Sequence, residues 1–214
     1  MNEIIRELRF EYSKEKTPVA IFKEYTLMLT AFEKAEFEIA KSISSSIRYK
    51  SSLEAVETGY IITKIKSWIE DKEPDLGNEN LQKLNTQEYI SNGIKTIVNN
   101  LTQDKNITKN TIERISSELN RLAEEFEINK IFSYAPVQQK NIIEVSKTIK
   151  EATSNLSDGE KVYLTEANGS NIELPKKINI QVTEKDLDYK EKTIENESEQ
   201  ILKIKKTDYI ADSA

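Results

Sequence analysis

Histidine and cysteine are both absent from this chain of 214 residues, so the side chains able to do chemistry are carboxylates, lysines, tyrosines and serines. One use of that set is a Mg²⁺-dependent nuclease centre. It needs Pro-Asp, then Glu or Asp with Lys two residues later on a core strand, the acids holding the metal and the Lys steadying the attacking water. Pro74-Asp75 is present, but Glu70-Asp71-Lys72 precedes it, and Asp188-Tyr189-Lys190 lies over a hundred residues away. These residues read as loop and solvated charge. Asp186 and Asp188 lack the glycine and terminal Glu of a Ca²⁺-binding loop, and Glu113, Glu118, Glu124, Glu125 and Glu127 fall on polar helix faces. Arg114 with Glu118, and Arg121 with Glu125, are spaced as pairs on a solvated helix face.

The absences exclude more than the motifs supply. Without His or Cys there is no Ser-His-Asp or Cys-His nucleophile, no intrinsic zinc site and no thiol redox pair. The five glycines, at 59, 77, 93, 159 and 169, stand too far apart for a phosphate-cradling loop, so no nucleotide fingerprint exists and no cofactor is expected. Net charge is −6, and the run 184–199 carries seven acids against three lysines, so no overall field draws the chain to nucleic acid or an anionic membrane. Lys176, Lys177 and Lys206, beside Lys203 and Lys205, are candidate anion contacts; lysines that blunt an edge strand are the competing reading. Neither a signal-peptide run nor an apolar stretch of membrane-spanning length occurs, which reads as a cytosolic protein.

The elements that must position these groups follow from periodicity. Ile4, Arg6, Leu8, Phe10 and Tyr12 alternate with polar residues as an opening strand. After Thr17-Pro18, a stripe of Phe22, Tyr25, Leu29, Phe32, Ile39 and Ile43 predicts a helix over 18–41, broken only by Glu36; its end competes with strand, leaving 36–60 undecided. Ile47-Arg48-Tyr49 reads as a short strand, Ile61, Ile65, Trp68 and Ile69 as one helical face, and 70–78 as a surface loop. Helices are expected behind Asn85/Glu88, behind Asn110/Glu113, and after Pro136. The stripe Ile112, Ile115, Leu119, Leu122 and Phe126 is too short for a coiled coil, and reads as a partner-docking face or as internal packing. Trp68, Tyr60 and Tyr134 read as core residues, with stacking platforms or interface anchors as the alternatives. Beyond Asp158 the period turns to two: a hairpin around Asn168-Gly169, a third strand at Ile178, Ile180 and Val182, and a fourth at 200–206. The fold class is α+β: an N-terminal strand, amphipathic helices and a C-terminal antiparallel hairpin or meander. Residues 1–157 would form a mostly helical domain and 158–214 a small β-rich lobe, set apart from it or continuous with it.

The strand ending Leu8-Arg9-Phe10-Glu11-Tyr12, the first helix, the segment Tyr49-Lys50-Ser51-Ser52-Leu53-Glu54-Ala55 and the segment Leu202–Ser213 together resemble a family of uncharacterised bacterial proteins, some of them in mobile or defence gene neighbourhoods. In that family the closing strand is followed by a Trp-containing β segment, whereas this sequence stops at Ala214. The resemblance assigns no catalytic residue. Together with the missing catalytic equipment and the edge-strand character of the chain's end, it points to a non-enzymatic interaction, regulatory or accessory subunit, with a bacterial defence or phage counter-defence system as the setting the resemblance implies. The expected partner is another protein or a second copy, met through an edge strand or an amphipathic helix, with Ile201, Lys203, Lys205 and Tyr209 as candidate contacts. The alternatives are a small-ligand or nucleotide-binding module and, third, a carboxylate/Mg²⁺ enzyme.

Overall fold

A computed structural model of the chain describes residues 3–44, 47–57, 61–71, 85–131, 133–165 and 171–187. The opening alternation forms β1 (Glu3–Glu11), which is followed by the helix α1 (Pro18–Ile43). Thr17 caps α1 by accepting from the Ala20 N–H, and Pro18 sets its first turn. Ile21, Tyr25, Met28, Phe32, Ala35, Ile39 and Ile43 turn one face of α1 into the core. Phe22, assigned to that stripe by spacing alone, lies outside the buried face and is 62% exposed.

Two long strands follow, β2 (Ile47–Glu57) and β3 (Ile61–Asp71). This corrects the helix expected at 61–69 and carries the strand to Asp71, while the rest of the loop expected at 70–78 lies outside the described residues. Ile61, Ile65 and Ile69 are four apart, a spacing that suits both a helical face and a strand face. Thr63 and Ser67 decide, since both are buried on the same side as Ile61 and Ile65. α2 (Thr86–Gln103), β4 (Asn106–Ile107), α3 (Lys109–Glu125), α4 (Gln139–Thr153), β5 (Lys161–Thr165), β6 (Asn171–Glu173) and β7 (Asn179–Ile180) complete the described elements. Asn85 caps α2 as expected, but the cap of α3 is Thr108, two residues before the expected Asn110.

The architecture is α+β. Five strands form an antiparallel sheet in the order β2-β3-β1-β5-β6, so the C-terminal hairpin extends the sheet begun by the N-terminal strand. The expected third strand shrinks to β7, which pairs in parallel with β4, away from the hairpin. The Asn168-Gly169 turn, the strand expected at 200–206, Tyr60 and Pro74-Asp75 lie outside the described residues. Register places Leu8, Phe10, Ile61, Ile65, Val162, Leu164 and Ile172 on one buried face. The half-exposed opposite face carries Glu7, Arg9, Glu11, Lys64, Lys66 and Tyr163. A shift of one residue would exchange the two faces, which is why the pairing is well specified.

α2 meets α1 and α3 at a close approach where Gly93 leaves room. A Cβ there would stand 3.0 Å from Ile39 Cδ1 and 3.4 Å from Leu119 Cδ2. Gly93→Val is therefore expected to lower stability by about 2–3 kcal/mol in urea unfolding, despite replacing a poor helix former. A neutral result would mean that the two neighbours move apart freely. Ile112, Ile115, Leu119 and Leu122 of α3 are buried, so the stripe offered as a docking face is filled by internal packing. No described helix is long and apolar enough to cross a membrane.

Candidate functional site

Four polar groupings and one exposed helix face stand out among the described residues. Arg6 breaks the apolar face of β1 and Glu36 breaks the apolar stripe of α1; across the core they form an ion pair, both almost fully buried. Ser67 of β3 donates to Glu36 at 3.0 Å, and Arg6 donates to Ser91 of α2 at 2.9 Å. Each charge alone would be costly in the interior, and each is what makes the other tolerable.

A second cluster joins the β1–α1 connection to the α4–β5 connection. The Lys16 ammonium donates to Glu24 at 2.7 Å, to Glu160 at 2.5 Å and to the Asn155 carbonyl at 3.1 Å. Glu160, with no exposed surface, also accepts from the Ser13 and Ser157 N–H groups. Burial opposes its charge, but Lys16 and these N–H donors prevail and hold its carboxyl at about 2. For Lys16 burial works against the charge as well, and the bonds to Glu160 and Glu24 outweigh it, raising its pKa.

The third grouping links α2 to α3. Arg114, expected to pair along its own helix with Glu118, instead donates to Asn100 and Asp104, each at 2.6 Å, while Glu118 accepts from Asn100. Asp104 is held below its ordinary pKa chiefly by the Thr111 hydroxyl, with Arg114 adding to it against burial. The fourth is the Tyr89 hydroxyl, fully buried and 3.0 Å from Ser42 Oγ, with half-buried Tyr134 bonding Asn120. Burial pushes both phenols up. Tyr134 packs against the core, which favours the core reading of that aromatic.

Lys176 and Lys177, the described candidate anion contacts, hold the loop before β5. Lys176 donates to the Ser157 and Asp158 carbonyls and Lys177 pairs with the Asp158 carboxylate at 3.0 Å. Ile201, Lys203, Lys205, Lys206 and Tyr209 lie outside the described residues. Among the described residues no three acids come together as a metal site.

The exposed face belongs to α1. Val19, Phe22 and Phe37, exposed at 79%, 62% and 40%, are the large exposed hydrophobics of the described residues, and all three lie on this helix. Thr26 and Thr30 fall on the same outer stripe and spend their hydroxyls on the carbonyls of Phe22 and Thr26. The stripe is thus apolar at both ends, with the exposed charges Lys23 and Glu33 flanking the threonines between them. Beside Phe37, a shallow groove runs between α1 and the edge strand β2, lined by Thr30, Glu33, Lys34, Phe37, Glu38 and Ser51. Ser51 of β2 donates to Glu33 across it. Spacing misses this face because α1 also carries a stronger inward stripe, and Phe22 fits either.

Comparisons with protein-family models, curated proteins and solved structures give no match to this chain. That agrees with a resemblance confined to an uncharacterised family, and it gives the defence association no support.

Proposed function

We propose that this chain acts as a non-enzymatic interaction or accessory subunit that binds protein through the outer face of α1. The observation that carries the reading is the placement of Val19, Phe22 and Phe37 on one helix face. Single exposed apolar residues are ordinary, but a set confined to one element marks an interaction surface. The fate of the ionisable groups supports it. Among the described residues the buried carboxylates Glu24, Glu36 and Glu160 are each held by a cation of the same chain, Lys16 or Arg6, so their charges are spent on holding elements together.

The test compares the wild type with Val19→Asp/Phe22→Asp in native affinity capture and in sizing. Both side chains are solvated, so thermal midpoints should agree, while an association made by the wild type should fall by about tenfold or more in the variant. The reading is overturned if the wild type associates with nothing, or if the variant retains every association at full strength.

A further inference from the structure

We infer that the protein seated on the α1 face is a second copy of this chain, packed antiparallel about a two-fold axis close to residue 28; the inference rests on the interaction reading above. The outer stripe of α1 is self-complementary when reversed about that point. Val19 and Phe37, both exposed and apolar, lie equally far from it on either side, and so do Thr26 and Thr30, whose hydroxyls are already bonded within the helix. Lys23 and Glu33, both exposed and of opposite charge, are also equidistant from it. Antiparallel pairing therefore sets Val19 against Phe37 at each end of the contact, methyl-bearing threonines at the axis, an ammonium level with a carboxylate in two places, and the Phe22 ring against the stem of Lys34. A parallel arrangement would set Lys23 beside Lys23 and Glu33 beside Glu33, which like-charge repulsion disfavours.

A two-fold contact also repeats every favourable pair, so a modest stripe acts twice. From Val19 to Phe37 the contact runs about 27 Å at the rise of an α-helix. Lys23, which makes no ion pair among the described residues, and Glu33, whose carboxylate already accepts from Ser51, would flank the seam.

Lys23 and Glu33 are ten residues apart on one helix, or about 15 Å, too far for an amide formed without a spacer within one chain. Carbodiimide coupling of the wild type, with isotopically light and heavy protein mixed, should give a Lys23–Glu33 cross-linked peptide carrying one light and one heavy partner. Light scattering should give about twice the chain mass of 24.6 kDa. Val19→Asp, which would set a carboxylate against Phe37 of the other copy, should raise the dimer dissociation constant by about a hundredfold, since symmetry counts the change twice. A dimer whose cross-links fall elsewhere, or one that Val19→Asp leaves intact, overturns the inference. So does a monomer; in that case, capture of a different protein by the wild type and its loss in Val19→Asp/Phe22→Asp would leave the broader interaction reading standing.

Discussion

Glu36→Ala should lower the unfolding free energy by about 3–5 kcal/mol, because it strands the Arg6 guanidinium in the core, and Arg6→Ala should do comparable damage from the other side. A domain of this kind has roughly 5–15 kcal/mol in all, so either change removes a large share of it. The double variant Arg6→Met/Glu36→Leu should recover most of the loss, since two apolar side chains of similar volume need no solvation. Urea unfolding of the three proteins at neutral pH is the measurement. If either single change costs less than about 1 kcal/mol, the pair is hydrated in solution and the burial argument fails. The partners of the pair lie on β1, β3, α1 and α2, so it ties α1 to the sheet and to α2.

Lys16→Met is the second large effect, expected at about 3 kcal/mol, since it leaves Glu160 without exposed surface and without a cation, and removes the partner of Glu24. It carries a pH signature. The Glu160 carboxyl titrates at about 2 in the folded chain against an ordinary 4.5, so its contribution is complete above pH 4.5 and is lost as pH falls from there through 2. The shift corresponds to about 3 kcal/mol of stability lost across that window. Lys16 has a raised pKa, so its contribution is complete below 10.5 and lost as pH rises beyond. Stability measured between pH 2 and 6 should therefore fall steeply with acid in the wild type and more gently in Lys16→Met and Glu160→Gln. Asp104 and Glu144, also held below their ordinary pKa, keep the variant curves from becoming flat. Equal slopes in wild type and Glu160→Gln would show that this carboxylate is not the group being titrated.

These expectations depend on residues that the sequence marks but does not explain. Arg6 on an apolar strand face and Glu36 in an apolar helix stripe are visible as interruptions, and interior charges need partners. Matching one to the other requires knowing that α1 crosses β1, a contact between residues thirty apart in sequence. Gly93 likewise reads as a weak point in a helix until Ile39 is found 3.0 Å from where its Cβ would be.

Short-range signals sufficed for the fold class, the opening strand, the start of α1, four helices near their observed places and the C-terminal hairpin, because caps, prolines and periodicity act over a few residues. The sequence also excluded every chemistry that needs His, Cys or clustered Gly. Only the tertiary structure decided that 61–71 is a strand, since a four-residue spacing of isoleucines satisfies both periods and the neighbouring strands β1 and β2 select one of them. The same holds for the outer face of α1. A helix of 26 residues carries more apolar positions than its core-facing side can bury, and which of them remain outside depends on where the sheet and α4 touch it. Local sequence fixes the angular positions of Val19, Phe22 and Phe37 around the helix axis, and the packing of distant elements decides that this side is the exposed one.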